Sequence, residues 1–99
     1  MDLISIVIPC LNEEKNILTV CKEVSKVIKG DAELSNLAFE LIFIDDGSDD
    51  KTLELIKKLS KDHEEIKFIS FSRNFGKEAA IYAGLKNSSG DFIILMDVS

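Results

Sequence analysis

The chain has no glycine between Met1 and Lys29, and this absence excludes one large class of function. A dinucleotide site of the Rossmann type needs the pattern G-x-G-x-x-G directly after the first strand, because the backbone there must approach a pyrophosphate closely. The first strand-like run of this chain ends at Pro9, and cysteine, leucine, asparagine and two glutamates follow it. The sequence therefore excludes NAD binding through the usual glycine-rich turn.

Basic residues are also few. The chain has 12 Lys and Arg against 18 Asp and Glu, which gives a formal net charge of −6 at pH 7. Because neutralising nucleic-acid phosphates requires clustered Lys and Arg, this balance argues against a nucleic-acid partner. It also argues against binding to an anionic membrane surface. The acidic residues would equally repel an anionic substrate, unless a cation lies between the two.

The two cysteines, Cys10 and Cys21, lack C-x-x-C spacing and a nearby histidine, so we expect no zinc site. Reduced thiols and a cytoplasmic location fit this usage best. No apolar run approaches the length that spans a bilayer. The start of the chain has no basic stretch followed by a long apolar run, and we therefore expect no signal peptide.

The chain does contain four apolar, strand-like runs, each of which stops at a cluster of polar residues. The runs cover residues 5–9, 41–44, 66–71 and 92–96, and the polar clusters cover 10–14, 45–48, 72–77 and 97–99. In a parallel α/β sheet the ligand crevice lies at the carboxyl ends of the strands. The four clusters are therefore predicted to meet in one site.

Helical patterns alternate with these runs, which is typical of βαβ units. We predict a helix over about residues 14–29, a loop at 31–38, a helix capped by Ser48, and a helix over about 77–86 that packs through its alanines and Leu85. The fold class is therefore α/β, with β-α-β-α-β-α-β order, a mostly parallel Rossmann-like sheet and helices on both faces. At 99 residues the chain is one domain at most.

Asp45 and Asp46 end the second run and carry the most chemistry. Two carboxylates followed by Gly47 would place acceptor oxygens in the crevice, where donor groups of a base or a ribose could be recognised. Residues 48–50 have a simpler explanation, since serine caps a helix and acids suit its positive first turn. Capping needs neither Asp45 nor Asp46, and for Asp46 we favour a ligand-binding role.

Asp97 ends the fourth run and gains weight as a candidate from the carboxylates at neighbouring strand ends. Carboxylate oxygens suit Mg²⁺ or Mn²⁺, and such a cation would bridge the protein acids to a substrate diphosphate. Arg73 and Lys77 could neutralise phosphate directly or could be surface charges. Since cations are unfavourable at a helix start, their position slightly favours the functional interpretation.

Four motifs occur in order along the chain: residues 5–9 with Asn12-Glu13, residues 45–52, residues 72–80 and residues 90–97. Together they resemble the opening of a family 2 glycosyltransferase with the GT-A fold. Residues 72–80, Ser-Arg-Asn-Phe-Gly-Lys-Glu-Ala-Ala, are similar to the polyprenyl-phosphate glycosyltransferases, the branch that includes bactoprenol glucosyltransferases and dolichol-phosphate mannose synthase. The resemblance covers essentially the whole chain.

The resemblance implies an inverting transfer of a sugar from a UDP- or GDP-sugar donor, in one direct displacement. Pro9, Leu11 and Glu13 would line the nucleoside pocket, and Asp46 would bind the base. Leu11 stands where the family usually has tyrosine, which removes a stacking surface for the base.

By the same resemblance, Asp97 matches the first Asp of a D-x-D motif that holds the metal, Mg²⁺ or Mn²⁺, and the donor diphosphate. The third position of that motif, usually Asp, is Ser99 here. The acceptor-binding residues and the catalytic base are expected beyond Ser99, as are the membrane helices of some members. We therefore expect residues 1–99 to be the donor-binding part of a truncated domain, inactive alone. The longer protein would act on a polyprenyl phosphate at the cytoplasmic face of the membrane.

Two other interpretations stay open at this point. A receiver-type phospho-acceptor domain also has an acidic pair at one strand end and an Asp at another, here Asp46 and Asp97. Its acidic pair should follow the first strand, however, and the later lysine that such domains need is missing. The other alternative is a non-catalytic nucleotide-binding fragment, suggested by Ser99. In each case the last apolar strand could lie at a sheet edge and pair with a copy of itself.

Overall fold

The computed structural model describes residues 2–98. Its elements follow the predicted order: β1 (Leu3–Cys10), α1 (Ile17–Lys29), β2 (Ala38–Asp45), α2 (Thr52–Asp62), β3 (Ile66–Ser70), α3 (Lys77–Asn87) and β4 (Phe92–Leu95). The segment expected to be a loop at 31–38 contains a short 3-10 helix, and its last residue begins β2. Within residues 2–98, no helix is long and apolar enough to cross a bilayer.

The sheet is parallel throughout, in the order β3-β2-β1-β4. β1 and β2 pair along their whole length, which places Cys10 opposite Asp45 at their carboxyl ends. β4 pairs with β1 on one side and forms an edge of the sheet. Since every strand runs the same way, the carboxyl ends of all four lie on one side of the molecule, as predicted.

Helices cover both faces of the sheet, which confirms that prediction. Alternate residues of a strand point to opposite faces, and Ile4, Ile6 and Ile8 pack with residues of α1 and α2 in one apolar cluster. Val7 packs with Ala80 of α3 in a second cluster on the other face. The two central strands, β1 and β2, are buried from both sides, which explains their near-continuous apolar sequences.

α3 approaches the sheet closely because it presents small residues to it. The residues of α3 that are buried are Ala80 and Gly84, which lie four positions apart on one face of the helix. A Cβ atom at position 84 would overlap the side chains of Val7 and Ile44. The prediction that Leu85 makes this contact is wrong, because Leu85 lies one position around the helix and is exposed.

α1 begins at Ile17, three residues later than predicted. Residues 14–16 form a turn, and the carbonyl oxygen of Glu13 accepts hydrogen bonds from the N–H groups of Asn16 at 2.9 Å and Ile17 at 3.1 Å. The polar residues that follow β1 are therefore free of the helix and available to line a crevice.

α2 begins at Thr52, and the prediction that Ser48 caps it is wrong. The Ser48 hydroxyl oxygen instead accepts a hydrogen bond from the N–H of Asn12 at 2.9 Å. Asp50 lies closer to the helix start, where its Oδ1 accepts a bond from the N–H of Thr52 at 2.9 Å. The Ser48 hydroxyl therefore bonds to the loop after β1 and not to the first turn of α2.

A buried polar network joins the strands nearer their amino ends. Glu40 is 3% exposed and accepts hydrogen bonds from the Ser5 hydroxyl, from Lys67 Nζ at 2.7 Å and from the N–H of Ser89 at 2.8 Å. The Ser5 oxygen in turn accepts the N–H of Gly90 at 2.8 Å. One carboxylate thus links β1, β2, β3 and the segment that leads into β4, so it helps to position the edge strand.

Candidate functional site

The carboxyl ends of the strands frame a cleft of about 290 Å³. Six of the eight residues singled out from the sequence line this cleft: Pro9, Leu11, Glu13, Asp46, Lys77 and Asp97. The other two, Arg73 and Asp45, are not part of its wall. Residues from four separate segments of the chain thus meet in one place, as the topology of a parallel sheet requires.

The loops after β1 and β2 are hydrogen-bonded to each other. The Asn12 side-chain oxygen accepts the N–H of Asp49 at 2.8 Å, while the N–H of Asn12 donates to Ser48 Oγ. The N–H of Glu13 donates to Thr52 Oγ1 at 2.8 Å. Asn12 adopts a left-handed backbone conformation, with φ +53°, which asparagine tolerates better than most residues. These bonds hold one wall of the cleft in place.

Asp46 is 4% exposed, and both of its carboxylate oxygens accept backbone hydrogen bonds. The N–H of Phe75 donates to Oδ1 at 2.8 Å, and the N–H of Gly76 donates to Oδ2 at 3.2 Å. The sequence did not reveal this role, since the two donors are about 30 residues away. Each carboxylate oxygen has two lone pairs, so Asp46 keeps capacity to accept further bonds from a ligand in the cleft.

Gly47 brings the β2–α2 turn against the backbone of the segment 72–77. Its φ of +74° favours glycine, and a Cβ atom there would overlap the backbone of Arg73 and Asn74. Asn74 and Gly76 of this segment also line the cleft, which sequence reasoning did not single out. Their position inside the polar cluster 72–77 was the only signal for them.

Lys77 and Asp97 form an ion pair between Lys77 Nζ and Asp97 Oδ2. Both side chains are about half-exposed. The sequence suggested Lys77 for phosphate and Asp97 for a metal, and the structure brings the two groups into direct contact. The cleft therefore carries both signs of charge at the end of β4.

Arg73 lies beside the cleft rather than in it. Its guanidinium carbon is 4.7 Å from the centre of the Phe75 ring, and that ring meets Phe71 edge-on at 5.6 Å. A guanidinium over an aromatic face is attracted by the ring quadrupole. This stacking holds Arg73 near the rim, next to the exposed ring of Phe75.

Asp45 does not contribute to the cleft, although the sequence placed both acids of the pair there. Its side chain is buried, and within residues 2–98 its Oδ1 has no hydrogen-bond partner.

Burial, with smaller contributions from Asp45 and Glu13, raises the pKa of the Cys10 thiol to about 12. Cys10 lines the cleft but is protonated at neutral pH, so it cannot act there as a thiolate nucleophile.

The described residues fit a divalent cation only if a ligand completes its coordination. Residues 2–98 contain no group of three or more His, Cys, Asp or Glu side chains that could hold a metal ion. Mg²⁺, however, commonly binds one or two carboxylates together with waters and substrate phosphates. Asp97 offers such a carboxylate, and the ammonium group of Lys77 already lies against it. Ser99, the third position of the predicted D-x-D motif, lies outside the described residues.

The fold identifies the class of protein. The mannosyltransferase PcManGT from Pyrobaculum calidifontis, solved with GDP-Man and Mn²⁺, superposes with a TM-score of 0.78 at 17% identity, over 95% of this chain and 26% of that one. TarS 1-349 of S. aureus, solved with UDP, superposes with a TM-score of 0.74 at 24% identity, over 98% of this chain and 27% of that one. At such identities these likenesses show the fold alone, and that fold is GT-A.

Sequence comparison then identifies the family. The model of glycosyl transferase family 2 matches residues 5–98, and the chain belongs to that family. CsbB of Bacillus subtilis strain 168, a candidate glycosyltransferase, is 45% identical over 96% of this chain. The bactoprenol glucosyl transferase of Shigella phage SfV is 42% identical over 96%, and the undecaprenyl-phosphate 4-deoxy-4-formamido-L-arabinose transferase of Pseudomonas aeruginosa is 36% identical over 98%.

The chain spans between 28% and 30% of the length of these three relatives.

Family membership overturns the receiver-type alternative. The structure agrees, because the acidic pair follows β2, whereas a receiver domain needs it after the first strand.

Proposed function

We propose that this chain binds the nucleoside diphosphate part of a nucleotide-sugar donor, as the donor-binding part of an inverting glycosyltransferase. The observation that supports the proposal is the convergence of Glu13, Asp46, Lys77 and Asp97 in one cleft at the carboxyl ends of the strands. A nucleotide needs acceptors for its base, an apolar surface beside it and positive charge for its phosphates. Each of these lies within the same cleft.

In this proposal the wall from β1 binds the nucleoside. Pro9 is buried, whereas Leu11 is 40% exposed and offers an apolar surface at the cleft. Glu13 and the remaining lone pairs of Asp46 would accept hydrogen bonds from ribose hydroxyls and from donors on the base. Asp46 would therefore serve both the ligand and the segment 72–77.

The opposite wall would receive the diphosphate. Asp97 would hold Mg²⁺ or Mn²⁺ together with the phosphate oxygens, and Lys77 would add a second positive charge. The cation, when bound, would stabilise negative charge on the departing diphosphate. In the transfer, an acceptor oxygen forms a bond to the anomeric carbon, while the bond from that carbon to the diphosphate oxygen breaks and leaves its electron pair on the diphosphate.

For the acceptor we propose a polyprenyl phosphate. Support comes from relatives that are named as bactoprenol and undecaprenyl-phosphate transferases. Arg73, at the rim of the cleft, is our candidate for contact with the acceptor phosphate. We further propose that the longer protein works at the cytoplasmic face of a membrane, and that residues 1–99 alone do not catalyse transfer because the acceptor-binding residues and catalytic base lie beyond them.

Calorimetry with UDP and with GDP, each with and without Mn²⁺, tests this proposal. We expect one nucleotide to bind, more tightly with Mn²⁺, and Asp97→Asn to remove the gain from Mn²⁺. Asp62→Asn, at the end of α2 and away from the cleft, is the matched control. Absence of heat with both nucleotides, with and without Mn²⁺, would contradict donor binding and the nucleotide-binding fragment alike, and would leave only a scaffold.

A further inference from the structure

The basic residues of this chain are concentrated on one face of the molecule. α1 and α2 carry six lysines against three acids, whereas the whole chain has 12 Lys and Arg against 18 Asp and Glu. All six lysines are exposed: Lys22, Lys26 and Lys29 of α1, and Lys57, Lys58 and Lys61 of α2. Since both helices pack on the same face of the sheet, this face carries an excess of positive charge although the chain is acidic.

The three lysines of α1 line an open groove of about 490 Å³ between α1 and Leu59 of α2, which we call the α1–α2 groove. No acidic residue of the described chain lines this groove, and Glu23, the single acid of α1, is not part of its wall. Within residues 2–98, none of the three lysines has an ion-pair partner. Their charges are therefore available to an anionic partner.

The α1–α2 groove also offers apolar surface beside the lysines. Leu18 is 48% exposed and lies one helical turn before Lys22, on the same side of α1. Cys21 and Leu59 are partly buried and line the groove as well. Apolar residues flanked by lysines, whose stems can extend along the surface, are typical of a helix that lies in a membrane–water interface.

We propose that the α1–α2 groove docks the protein onto a membrane surface that carries anionic headgroups. Lys22, Lys26 and Lys29 contact the headgroup phosphates, and Leu18 enters the boundary with the acyl chains. This inference rests on the membrane location proposed above, but it uses none of the residues of the cleft. The cleft lies at the carboxyl ends of the strands and not on the face that α1 and α2 cover, so docking leaves it open to a donor.

The overall net charge of −6 opposes such a contact, and the reach of electrostatic interactions decides between the two effects. At physiological salt, charges are screened over about 8 Å. The smallest extent of the molecule is 23 Å. A membrane that meets α1 is thus screened from the acids on the far side of the molecule, whereas the lysines lie next to it. The net charge therefore does not exclude a membrane surface that meets this face.

Cosedimentation with extruded vesicles tests the docking. We expect the chain to bind vesicles of equal parts phosphatidylglycerol and phosphatidylcholine, and to be released from them as the salt concentration rises. K22Q/K26Q should bind about 25-fold more weakly, because each lysine near an anionic surface contributes about fivefold. L18Q should also bind several-fold more weakly, because the bilayer offers an apolar layer to Leu18.

K86E is the matched control, because it lowers the net charge by as much as K22Q/K26Q does. Lys86 is exposed on α3, which packs on the opposite face of the sheet. K86E should therefore leave vesicle binding within about twofold of the unaltered chain. Equal weakening by K86E and K22Q/K26Q would show that net charge alone matters, and would overturn the proposal. Circular dichroism verifies that each variant keeps the fold.

Three other results would also overturn the docking. The first is that the chain does not bind the mixed vesicles. The second is equally tight binding to vesicles of phosphatidylcholine alone, which would assign the contact to another apolar surface, such as the edge strand β4. The third is binding to double-stranded DNA but not to vesicles, with L18Q as tight as the unaltered chain, because DNA offers no apolar layer.

Calorimetry with UDP and GDP separates this proposal from the donor-binding function. K22Q/K26Q should bind nucleotide as the unaltered chain does, since neither lysine lines the cleft. If nucleotide binds and the mixed vesicles do not, the docking alone is wrong. If the vesicles bind through Lys22 and Lys26 while neither nucleotide binds, the docking stands and the donor-binding function fails.

Discussion

At the scale of single residues, Asp46 has one structural task that the structure shows and one ligand-binding task that we propose. Its position after β2 predicts a ligand-binding acid, and its two oxygens accept hydrogen bonds from the N–H groups of Phe75 and Gly76. It is therefore also a positioning residue for the segment that leads to Lys77. Replacing it should affect the fold and the site together.

Asp46→Asn should lower the free energy of unfolding by about 1–3 kcal/mol, because an amide NH₂ would face a backbone N–H that then lacks an acceptor. Urea denaturation measures this change. Asp49→Asn, on the exposed part of the same turn, is the control and should be nearly neutral. Equal stability of the two variants would show that the bonds from Phe75 and Gly76 contribute little.

Leu11→Tyr tests whether the side of the cleft that follows β1 binds the nucleoside, because the variant should bind UDP or GDP more tightly. The tyrosine ring would add a stacking surface at the proposed nucleoside pocket, and stacking of a base on an aromatic ring contributes about 1–3 kcal/mol. Calorimetry should therefore show UDP or GDP binding at least several-fold more tightly. Leu18→Tyr, on an exposed position of α1 away from the cleft, should leave affinity unchanged. A loss of affinity in Leu11→Tyr would place the base elsewhere.

At the scale of secondary-structure elements, Glu40 joins three strands and the entry to the fourth. Burial by itself raises the pKa of Glu40, but hydrogen bonds from Lys67, Ser5 and Ser89 outweigh it, so the pKa lies below its ordinary value. A carboxyl group with a depressed folded-state pKa stabilises the fold above its unfolded-state pKa. That contribution is lost as the pH falls through the folded-state pKa.

Glu40→Gln should therefore lower the free energy of unfolding at pH 7 by about 1–3 kcal/mol, the cost of leaving buried partners unsatisfied. The difference from the unaltered chain should shrink as the pH falls below the ordinary pKa of glutamate. Urea unfolding at pH 7 and at successively lower pH measures both effects. Glu64→Gln, which is exposed, is the control. A difference independent of pH would mean that the charge of Glu40 does not stabilise the sheet.

The element order was predictable because it depends on local patterns. A continuous apolar run such as 41–44 predicts a buried strand. Apolar residues at three- and four-residue steps, as in α1 and α2, predict a helix with one buried face. The starts of α1 and α2 were less predictable. Ser48 is a residue type that often caps helices, but its hydroxyl accepts the N–H of Asn12 in the neighbouring loop after β1. A single sequence does not show whether a serine hydroxyl will bond to a nearby helix N–H or to an N–H that is distant along the chain.

At the scale of the whole molecule, β4 presents an unprotected edge. Its four residues, Phe92, Ile93, Ile94 and Leu95, are each between 44% and 58% exposed. An apolar strand at a sheet edge can pair with another strand through its free backbone groups. We propose that the isolated chain self-associates through this edge.

Ile94→Lys should reduce this self-association, since a charged side chain on an edge strand opposes pairing. Sedimentation velocity over a range of concentrations should show a larger monomer fraction than for the unaltered chain. Leu18→Lys removes an exposed leucine of α1 instead and should change nothing. If the unaltered chain is monomeric at every concentration, the proposed pairing does not occur.

The amino-acid sequence by itself determined the parallel α/β order and the side of the sheet on which the polar clusters gather. Both follow from periodicity and chain direction, which are local properties. Tertiary structure alone decided that Asp46 accepts bonds from the segment 72–77, that Asp45 turns away from the cleft and that Lys77 lies against Asp97. The bonds from Phe75 and Gly76 to Asp46 and the ion pair between Lys77 and Asp97 join residues 20 or more positions apart. They form because α3 packs closely on the sheet through Gly84 and because the turn at Gly47 lies against the backbone of Arg73 and Asn74.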